Sequence, residues 1–348
     1  MTDHKSKRVF VGMSGGVDSS VSVYLLQKQG YDVVGVHLQC WNKDGCNEQE
    51  ARDARLVANK LGIPFYVLDM EEEYGKRVVD YMVESYRNGL TPNPDVMCNK
   101  EIKFGLFLEK ALSMGADFVA TGHYARLVEE NGEHFIYEGK DKGKDQSYFL
   151  WTLGEEKLRK VLFPIGDLKK EEVRKIAKEA GLHVAEKKDS QGICFIGQVT
   201  LQEFLHEYLG SKEGAVVDLS GEVIGKHEGA HFYTIGQRHG LGVALNAPHY
   251  VVDKDIKTNT VVLAQGDAKD LEKSEVSIRD FRLNANFELP SKVFARVRYR
   301  QDLHEAKLER AGENLLLKFT KPVRFVAPGQ SAVFYNDKGK LLGGGIIL

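Results

Sequence analysis

The sequence predicts an α/β chain: a doubly wound parallel sheet followed by two small β-rich domains, the last of them a β-barrel. Three observations carry that expectation. Apolar runs of strand length alternate with helical patterns from Arg8 to Thr121, the reading of a parallel sheet with crossover helices. The first of those runs ends in a glycine turn that leads straight into a helix. After Gly210 the chain breaks into short strands punctuated by Gly214, Gly221, Gly225, Gly229, Gly236, Gly240 and Gly242, which suits small antiparallel modules. The expected domains are residues 1–200, 201–273 and 274–348.

The elements follow in order. Arg8–Gly12 is a buried strand, and the apolar positions Val21, Val23, Tyr24 and Leu25 suit a buried helix that ends at Gly30. Asp32–Leu38 is a second strand. Asn47 caps a helix over Glu48–Leu61, with Glu50 completing a capping box and Gly62 ending it. Ile63–Leu68 is a third strand, Glu71–Asn88 a helix with Val78, Tyr81, Met82, Ser85 and Tyr86 near one face, Lys100–Met114 another helix, and Asp117–Thr121 a fourth strand. Ligands of such sheets bind beyond the carboxyl ends of the strands, so the glycine turn, the residues after Val36 and Thr121-Gly122-His123 share one rim. Beyond it, Asn131-Gly132 signals a hairpin, Lys140–Gln146 is a polar loop, and Ser147–Leu153, Leu168–Ala180 and Leu201–Leu209 read as helices. A last β-rich stretch runs from Val276, with alternation in Val293–Arg300 and Ser331–Tyr335.

Composition narrows the class. The chain has 348 residues, 42% hydrophobic and 28% charged, with a net charge of −2, so a nucleic-acid partner has to be held by local patches. No apolar run approaches the roughly 20 residues that span a bilayer, and Met1–Arg8 carries no apolar core of a signal peptide. A cytoplasmic protein with no membrane partner is expected. Four cysteines do not form a disulfide scaffold.

The first chemical stretch is Gly12-Met13-Ser14-Gly15-Gly16-Val17-Asp18-Ser19. A strand, a glycine turn and a helix start aim free N–H groups and a positive dipole end at one point, the place for a phosphate. A Walker loop needs a lysine in the turn and a dinucleotide fingerprint needs G-x-G-x-x-G; neither is present. S-G-G-x-D-S instead resembles the loop of the ATP pyrophosphatases (PP-loop; adenine nucleotide alpha hydrolase-like), which cleave ATP between the α and β phosphates and form an adenylated intermediate.

The second stretch is Thr91-Pro92-Asn93-Pro94-Asp95-Val96-Met97-Cys98-Asn99. Its prolines hold Leu90–Asp95 extended. Cys98 then falls just before or within the first turn of a helix, where a dipole lowers a thiol pKa, and Asp95 is close enough to act as acid or base. The same residues also suit a plain capped helix with a core cysteine. The third is Lys187–Gly197, where Cys194 follows two lysines in a glycine-punctuated segment. It reads either as a core cysteine or as a sulfur carrier whose S–S bond Cys98 resolves by exchange.

These stretches, with A-T-G-H-Y (120–124), K-D-Q-S-Y-F-L (144–150), Y-T-I-G-Q-R-x-G-L-G (233–242) and P-G-Q-S-A-V-F-Y (328–335), give the whole chain a resemblance to the tRNA-specific 2-thiouridylases. The resemblance implies ATP-dependent 2-thiolation of the wobble uridine in tRNAs for Lys, Glu and Gln. It implies ATP at Gly12–Ser19, with Leu38 and Gly122 around the adenosine, and Mg2+ on the departing pyrophosphate. Cys194 then carries a persulfide, Cys98 releases the sulfur or closes a disulfide with Cys194, and Asp95 is the acid/base. Asn93, Pro94, Asp95, His123, Lys144, Asp145, Gln146, Arg298, Tyr299 and Gln330 are the implied tRNA contacts, and a cysteine desulfurase or sulfur-relay protein is the implied donor. A monomer is the default expectation.

Three further readings concern charge and metal. Arg296, Arg298 and Arg300 alternate onto one strand face, which suits either RNA or solvent. Lys170, Arg174 and Lys178 share a helix face that could track phosphates. Cys40 and Cys46 lack two further ligands at zinc-site spacing. The rival function is a PP-loop ligase that adenylates a small molecule. It needs neither thiol.

Overall fold

The computed structural model describes residues 7–41, 46–189, 200–243, 246–284 and 287–348. Two compact units emerge. The first takes the described residues of Met1–Val79, Asp95–Gln198 and Gly339–Leu341; the second takes those of Asp80–Pro94, Val199–Lys338 and Leu342–Leu348.

The first unit begins β1 (Arg8–Gly12), α1 (Val17–Lys28), β2 (Asp32–Gln39), α2 (Cys46–Leu61), β3 (Phe65–Asp69). A helical stretch follows from α3 (Glu71–Tyr74) through a π-helical segment (Gly75–Val79) to α4 (Asp80–Arg87), which belongs to the second unit. Another runs from α5 (Pro94–Met97) through a π-helical segment (Cys98–Leu106) to α6 (Phe107–Ser113). Then come β4 (Phe118–Ala120), the hairpin β5 (Ala125–Glu130) and β6 (Glu133–Glu138), α7 (Glu155–Leu158), β7 (Val161–Leu162) and α8 (Lys170–Glu179).

The five-stranded sheet has the order β3-β2-β1-β4-β7, and every pairing in it is parallel. Alternate residues of β1 serve opposite faces. Val9 and Val11 pack with Val17, Val21 and Leu26 of α1, Val57 of α2 and Val173 of α8. Phe10 packs with Val34, Val36, Phe107, Leu108 and Val119. A strand covered on both faces reads as a continuous apolar run, which is why β1 and β2 are legible in the sequence. The Asn131-Gly132 turn has φ of 53° and 82°, the left-handed pair that a two-residue hairpin requires.

Several boundaries differ from expectation. The helix expected to start at Lys100 begins at Pro94. Proline lacks the N–H that a first helical residue leaves unbonded, so it starts a helix as readily as it prolongs an extended segment. The helix expected over Glu48–Leu61 starts at Cys46, ahead of its expected cap Asn47. Ser147–Leu153 yields only a 3-10 turn over Ser147–Leu150, because its side chains are buried all round and carry no amphipathic period.

In the second unit, α4 packs on α9 (Leu201–Leu209). Strands β8 (Gly214–Val217), β9 (Val223–His227), β10 (His249–Asp255) and β11 (Thr260–Gln265) form a sheet of order β10-β11-β8-β9 over Val216, Val251, Val261 and Leu263. The closed barrel comprises β12 (Glu272–Leu283), β13 (Ser291–Arg296), β14 (His304–Ala311), β15 (Asn314–Arg324), β16 (Ser331–Tyr335) and β17 (Leu341–Ile347), in the order β12-β15-β14-β13-β16-β17. β12 closes it by pairing with β15 along Glu272–Ile278 and with β17 along Ile278–Leu283.

Here two expected alternations fail. β13 ends at Arg296, which is buried over the Tyr335 ring, and Arg298 and Arg300 lie in the turn beyond it. The three arginines therefore share no strand face. Ser331–Tyr335 is buried at every position. Among the described residues no helix is long and apolar enough to cross a membrane.

Candidate active site

The glycine turn leaves β1 between its two neighbours, β2 and β4, the point where strand order reverses and where ligands of open parallel sheets bind. Met13 N donates to Val36 O at 2.7 Å. Gly15 has φ +70°, and a Cβ there would lie 2.4 Å from Glu50 O, so α2 backbone moulds the turn and only glycine fits. Ser14 N donates to Ser19 Oγ at 3.2 Å, and that hydroxyl donates to Gly16 O at 3.3 Å. Gly16 caps α1 with no side-chain hydrogen bond, so the first turn offers amide donors and the positive dipole end together. Gly122 closes the other wall: a Cβ on it would sit 2.6 Å from Ser19 N and 2.8 Å from Asp18 C. Leu38 is half-buried at the end of β2, and His37 Nδ1 lies 2.9 Å from Met13 O. The structure thus brings Gly12–Ser19 and Gly122 into one wall.

The Lys187–Asp189 stretch is tied to that turn at both ends. Lys187 Nζ donates to Gly15 O at 3.0 Å and to Asp53 Oδ2 at 2.6 Å. Burial pushes the Asp53 carboxyl up, but the hydrogen bond and charge of Lys187 outweigh it and hold it below its ordinary value. Asp18 accepts from Tyr124 OH at 2.7 Å and from Lys170 Nζ at 2.8 Å on each oxygen. Lys170 also lies 2.8 Å from Asp189 Oδ1. Asp189 takes Lys144 at 2.6 Å and Arg174 at 2.9 Å as well. Burial raises the Asp189 carboxyl, yet bonds from Lys144 and Lys170 pull it down to about 2. Burial and Asp18 together push the Tyr124 phenol up.

This network corrects the reading of Lys170, Arg174 and Lys178 as a phosphate-tracking stripe. Lys170 and Arg174 face Asp18 and Asp189, and Lys178 pairs with Glu186 at 2.6 Å. Sequence reasoning missed it because its members come from five separate segments. The string A-T-G-H-Y contains Tyr124 and the stretch Lys187–Gly197 contains Asp189, but nothing in them pairs either residue with Lys170.

The thiol region lies in the same unit. Asp95 is in the opening turn of α5, and Cys98, 4% exposed, starts the π-helical segment after it. Cys98 therefore stands beyond the first turn, where the dipole has largely decayed, and not within it as the sequence suggested. Burial pushes the Asp95 carboxyl up, and Lys103 partly offsets this. Asn99 is not a cap; it is buried inside the helix, with no hydrogen-bond partner for its Oδ1. His123 is buried, with Nδ1 2.7 Å from Thr121 Oγ1 and its ring against Phe104 and Phe163. Burial, helped by Lys103, pushes its pKa well below the ordinary value. Asp145 is 3% exposed; its carboxylate accepts from Gly139 N, Ser147 N and Ser147 Oγ. Gln146 Oε1 accepts from Tyr124 N at 3.1 Å. Cys194 lies outside the described residues.

In the second unit, Gln330 Nε2 donates to Thr91 O and Pro92 O, each at 3.2 Å, just before Asn93 and Pro94. A cavity of about 490 Å3 opens beside it, lined by Tyr86, Gln237, Arg238, His239, Arg298 and Gln330 among others. Arg298 is exposed and Tyr299 half-buried. Arg238 and His239 were not singled out, although Y-T-I-G-Q-R contains the first of them. Among the described residues no group of three or more His, Cys, Asp or Glu side chains could hold a metal.

Family models match three segments: a tRNA methyl transferase HUP domain over residues 7–198, a tRNA methyl transferase PRC-barrel domain over 202–265 and an aminomethyltransferase beta-barrel domain over 273–347. The chain is 49% identical to the tRNA-specific 2-thiouridylase MnmA 1 of Geobacillus kaustophilus, over 99% of this chain and 96% of that one. It is 46% identical to the tRNA-specific 2-thiouridylase MnmA of Streptococcus pyogenes serotype M1, over 100% and 96%. Among solved structures it is similar to an NMN synthetase from Francisella tularensis, at 18% identity over 59% of this chain and 77% of that one, with a TM-score of 0.35.

Proposed function

The chain belongs to the tRNA-specific 2-thiouridylase family of tRNA sulfurtransferases, and from that premise we propose that it uses ATP to thiolate C2 of the wobble uridine in tRNAs for lysine, glutamate and glutamine. The observation that carries the reading is the pairing of two environments in one unit: a helix start without a side-chain cap, walled by Gly122, and Asp95 a helical turn before the buried Cys98.

The polyphosphate of ATP sits on the amides of Gly15, Gly16 and Val17, with Leu38 and Gly122 beside the adenosine. The uridine C2 oxygen attacks the α-phosphate, and pyrophosphate leaves with the electron pair of the broken bond. AMP on that oxygen makes it a competent leaving group. Asp95, with its carboxyl displaced upward, exchanges the proton at this centre. Cys98 attacks the inner sulfur of a Cys194 persulfide and breaks its S–S bond; the outer sulfur leaves as sulfide and adds to C2, AMP departs with the C2 oxygen, and a Cys98–Cys194 disulfide remains for a thiol reductant. Magnesium is held in such sites through one or two carboxylates plus substrate phosphates; here the nucleotide's phosphates would hold it, with Asp18 as the carboxylate in the turn. When bound it neutralises the polyphosphate.

RNA loops are read through splayed bases and phosphate contacts. Asn93, Pro94, His123, Lys144, Asp145, Gln146, Arg298, Tyr299 and Gln330 are the proposed tRNA contacts, and a cysteine desulfurase or relay protein supplies the persulfide. The proposed domains are residues 1–200, 201–273 and 274–348, a division supported by the three family-model spans, and the proposed setting is the cytoplasm.

A single-turnover assay tests the reading. Unmodified tRNA for lysine, glutamate or glutamine is mixed with the protein, ATP, magnesium and a persulfide-generating donor, and the nucleosides are resolved by mass. 2-Thiouridine at the first anticodon position is the expected product. ATP cleavage on a small acceptor, with no thiolated tRNA, overturns the reading.

A further inference from the structure

The parallel sheet ends on two unlike edges. At one side β7 is two residues long, a short edge that resists further pairing. At the other, β3 runs Phe65-Tyr66-Val67-Leu68-Asp69, and no lysine, proline or bulge blunts it. Its apolar side chains are not withdrawn from water. Tyr66 is 48% exposed and Val67 37%, and Leu56 of α2, the helix packed on β3, is 49% exposed.

The open edge has a definite polarity. Gly35 N donates to Pro64 O and Met70 N donates to Gln39 O, each at 2.9 Å. The even-numbered residues of β3 therefore bond β2, and the N–H and C=O groups of Phe65, Val67 and Asp69 point outward. Phe65 packs on the core shared with α1 and α2, and Leu68 on the core of Phe10 and Phe107. Phe65, Val67 and Asp69 thus stand on one face, Tyr66 and Leu68 on the other. Charge marks the two ends. Arg55 of α2 lies over the Phe65 ring, 5.3 Å from its centroid, and Asp69 closes the strand. Among the described residues neither Arg55 nor Asp69 has an ion pair.

We propose that β3 is the contact by which two copies of this chain pair, antiparallel about a two-fold axis at Val67. That axis sets Val67 against Val67, and Phe65 against Asp69 of the second copy. These are the residues whose outward groups exchange two hydrogen bonds per pair. On the other face it sets Tyr66 against Leu68, an aromatic–aliphatic cross-strand pair. It also brings each Arg55 to the Asp69 of the second copy, so the two unpaired charges meet. A slip of one residue loses all of these matches together. The edge is complementary to itself, which is what a two-fold interface requires. Antiparallel pairing points the carboxyl-end rims of the two sheets in opposite directions, so both glycine turns stay open. One five-residue edge is a small contact, and the pair is weak and concentration-dependent.

The test is sedimentation velocity of the full chain over a series of concentrations. The wild type is expected to pass from one copy to two as it is concentrated. Val67→Lys puts a solvated charge at the axis and is expected to raise the concentration of half-association by about tenfold or more, with an unchanged circular dichroism spectrum. Arg55→Glu is expected to raise it by a smaller factor that disappears in high salt. Cross-linking checks the register. The two Val67 Cα atoms of a hydrogen-bonded antiparallel pair lie about 5.5 Å apart, within disulfide range. Under diamide, Val67→Cys is expected to give a linked dimer, and Tyr66→Cys no more of it than the wild type with its own four cysteines. A wild type that stays single at every concentration, a dimer that Val67→Lys leaves intact, or equal linking of the two cysteine variants overturns the inference.

Discussion

Two regions of the first unit treat ionisable groups in opposite ways. Around the glycine turn, Asp18, Asp53 and Asp189 are met by lysines and an arginine at 2.6–2.9 Å, and Asp189 is held down to about 2. Around Cys98 the groups are buried with little opposing charge. The Asp95 carboxyl goes up and the His123 imidazole goes down, and in both cases burial is the leading cause. The first region keeps its charges and suits an anionic ligand. The second favours neutral forms and suits proton and sulfur transfer. Environments that push such groups apart are how one site divides its labour.

The comparison breaks most completely at the thiol. Cys98→Ser is expected to give no detectable 2-thiouridine while still releasing pyrophosphate in the presence of tRNA; mass analysis of nucleosides beside a pyrophosphate assay separates the two. Asp95→Asn is expected to lower the thiolation rate by about 10²–10⁴-fold and to remove the corresponding limb of the pH–rate profile. On the charged side, Gly122→Ala puts a methyl group 2.6 Å from Ser19 N. A displaced turn is expected to lower kcat/KM for ATP by about tenfold to a hundredfold in steady-state kinetics, with folding intact by circular dichroism.

A stability experiment sharpens the contrast. The Asp189 carboxyl is lower in the folded chain than its ordinary 3.8, so its contribution is complete above that pH and is lost as the pH falls through about 2. At one pKa unit per 1.36 kcal/mol it is worth about 2 kcal/mol. The gap between wild type and Asp189→Asn in urea unfolding is expected to narrow on acidification across that window. The smallest effect concerns His123, whose imidazole signals are expected to show no protonation at pH 6 by NMR.

Much of this was legible in the sequence. Continuous apolar runs and glycine turns revealed the parallel sheet, and Gly12–Ser19 with Gly122 fell on one rim as expected. The start of the Cys98 helix was misread because Pro94 serves equally as the end of an extended segment and as the first residue of a helix. The Asp18–Lys170–Asp189 network was not legible at all. It joins residues separated by 152 positions, and a lysine on a polar helix face looks the same in sequence whether it meets solvent or a carboxylate. The alternating arginines misled for a related reason: a strand pattern continued past Arg296 into a turn.

The closure of the barrel has a consequence for how the chain is made. The parallel sheet is complete once Val161–Leu162 has been synthesised, so its core can consolidate while translation continues. The barrel has no such head start. Its first strand, β12, must wait for β17 before both its edges are paired, a delay of several seconds at about 5–20 residues per second. During that interval Ile278–Leu283 is an open edge on the ribosome, and a stop codon before Leu341 would make the exposure permanent.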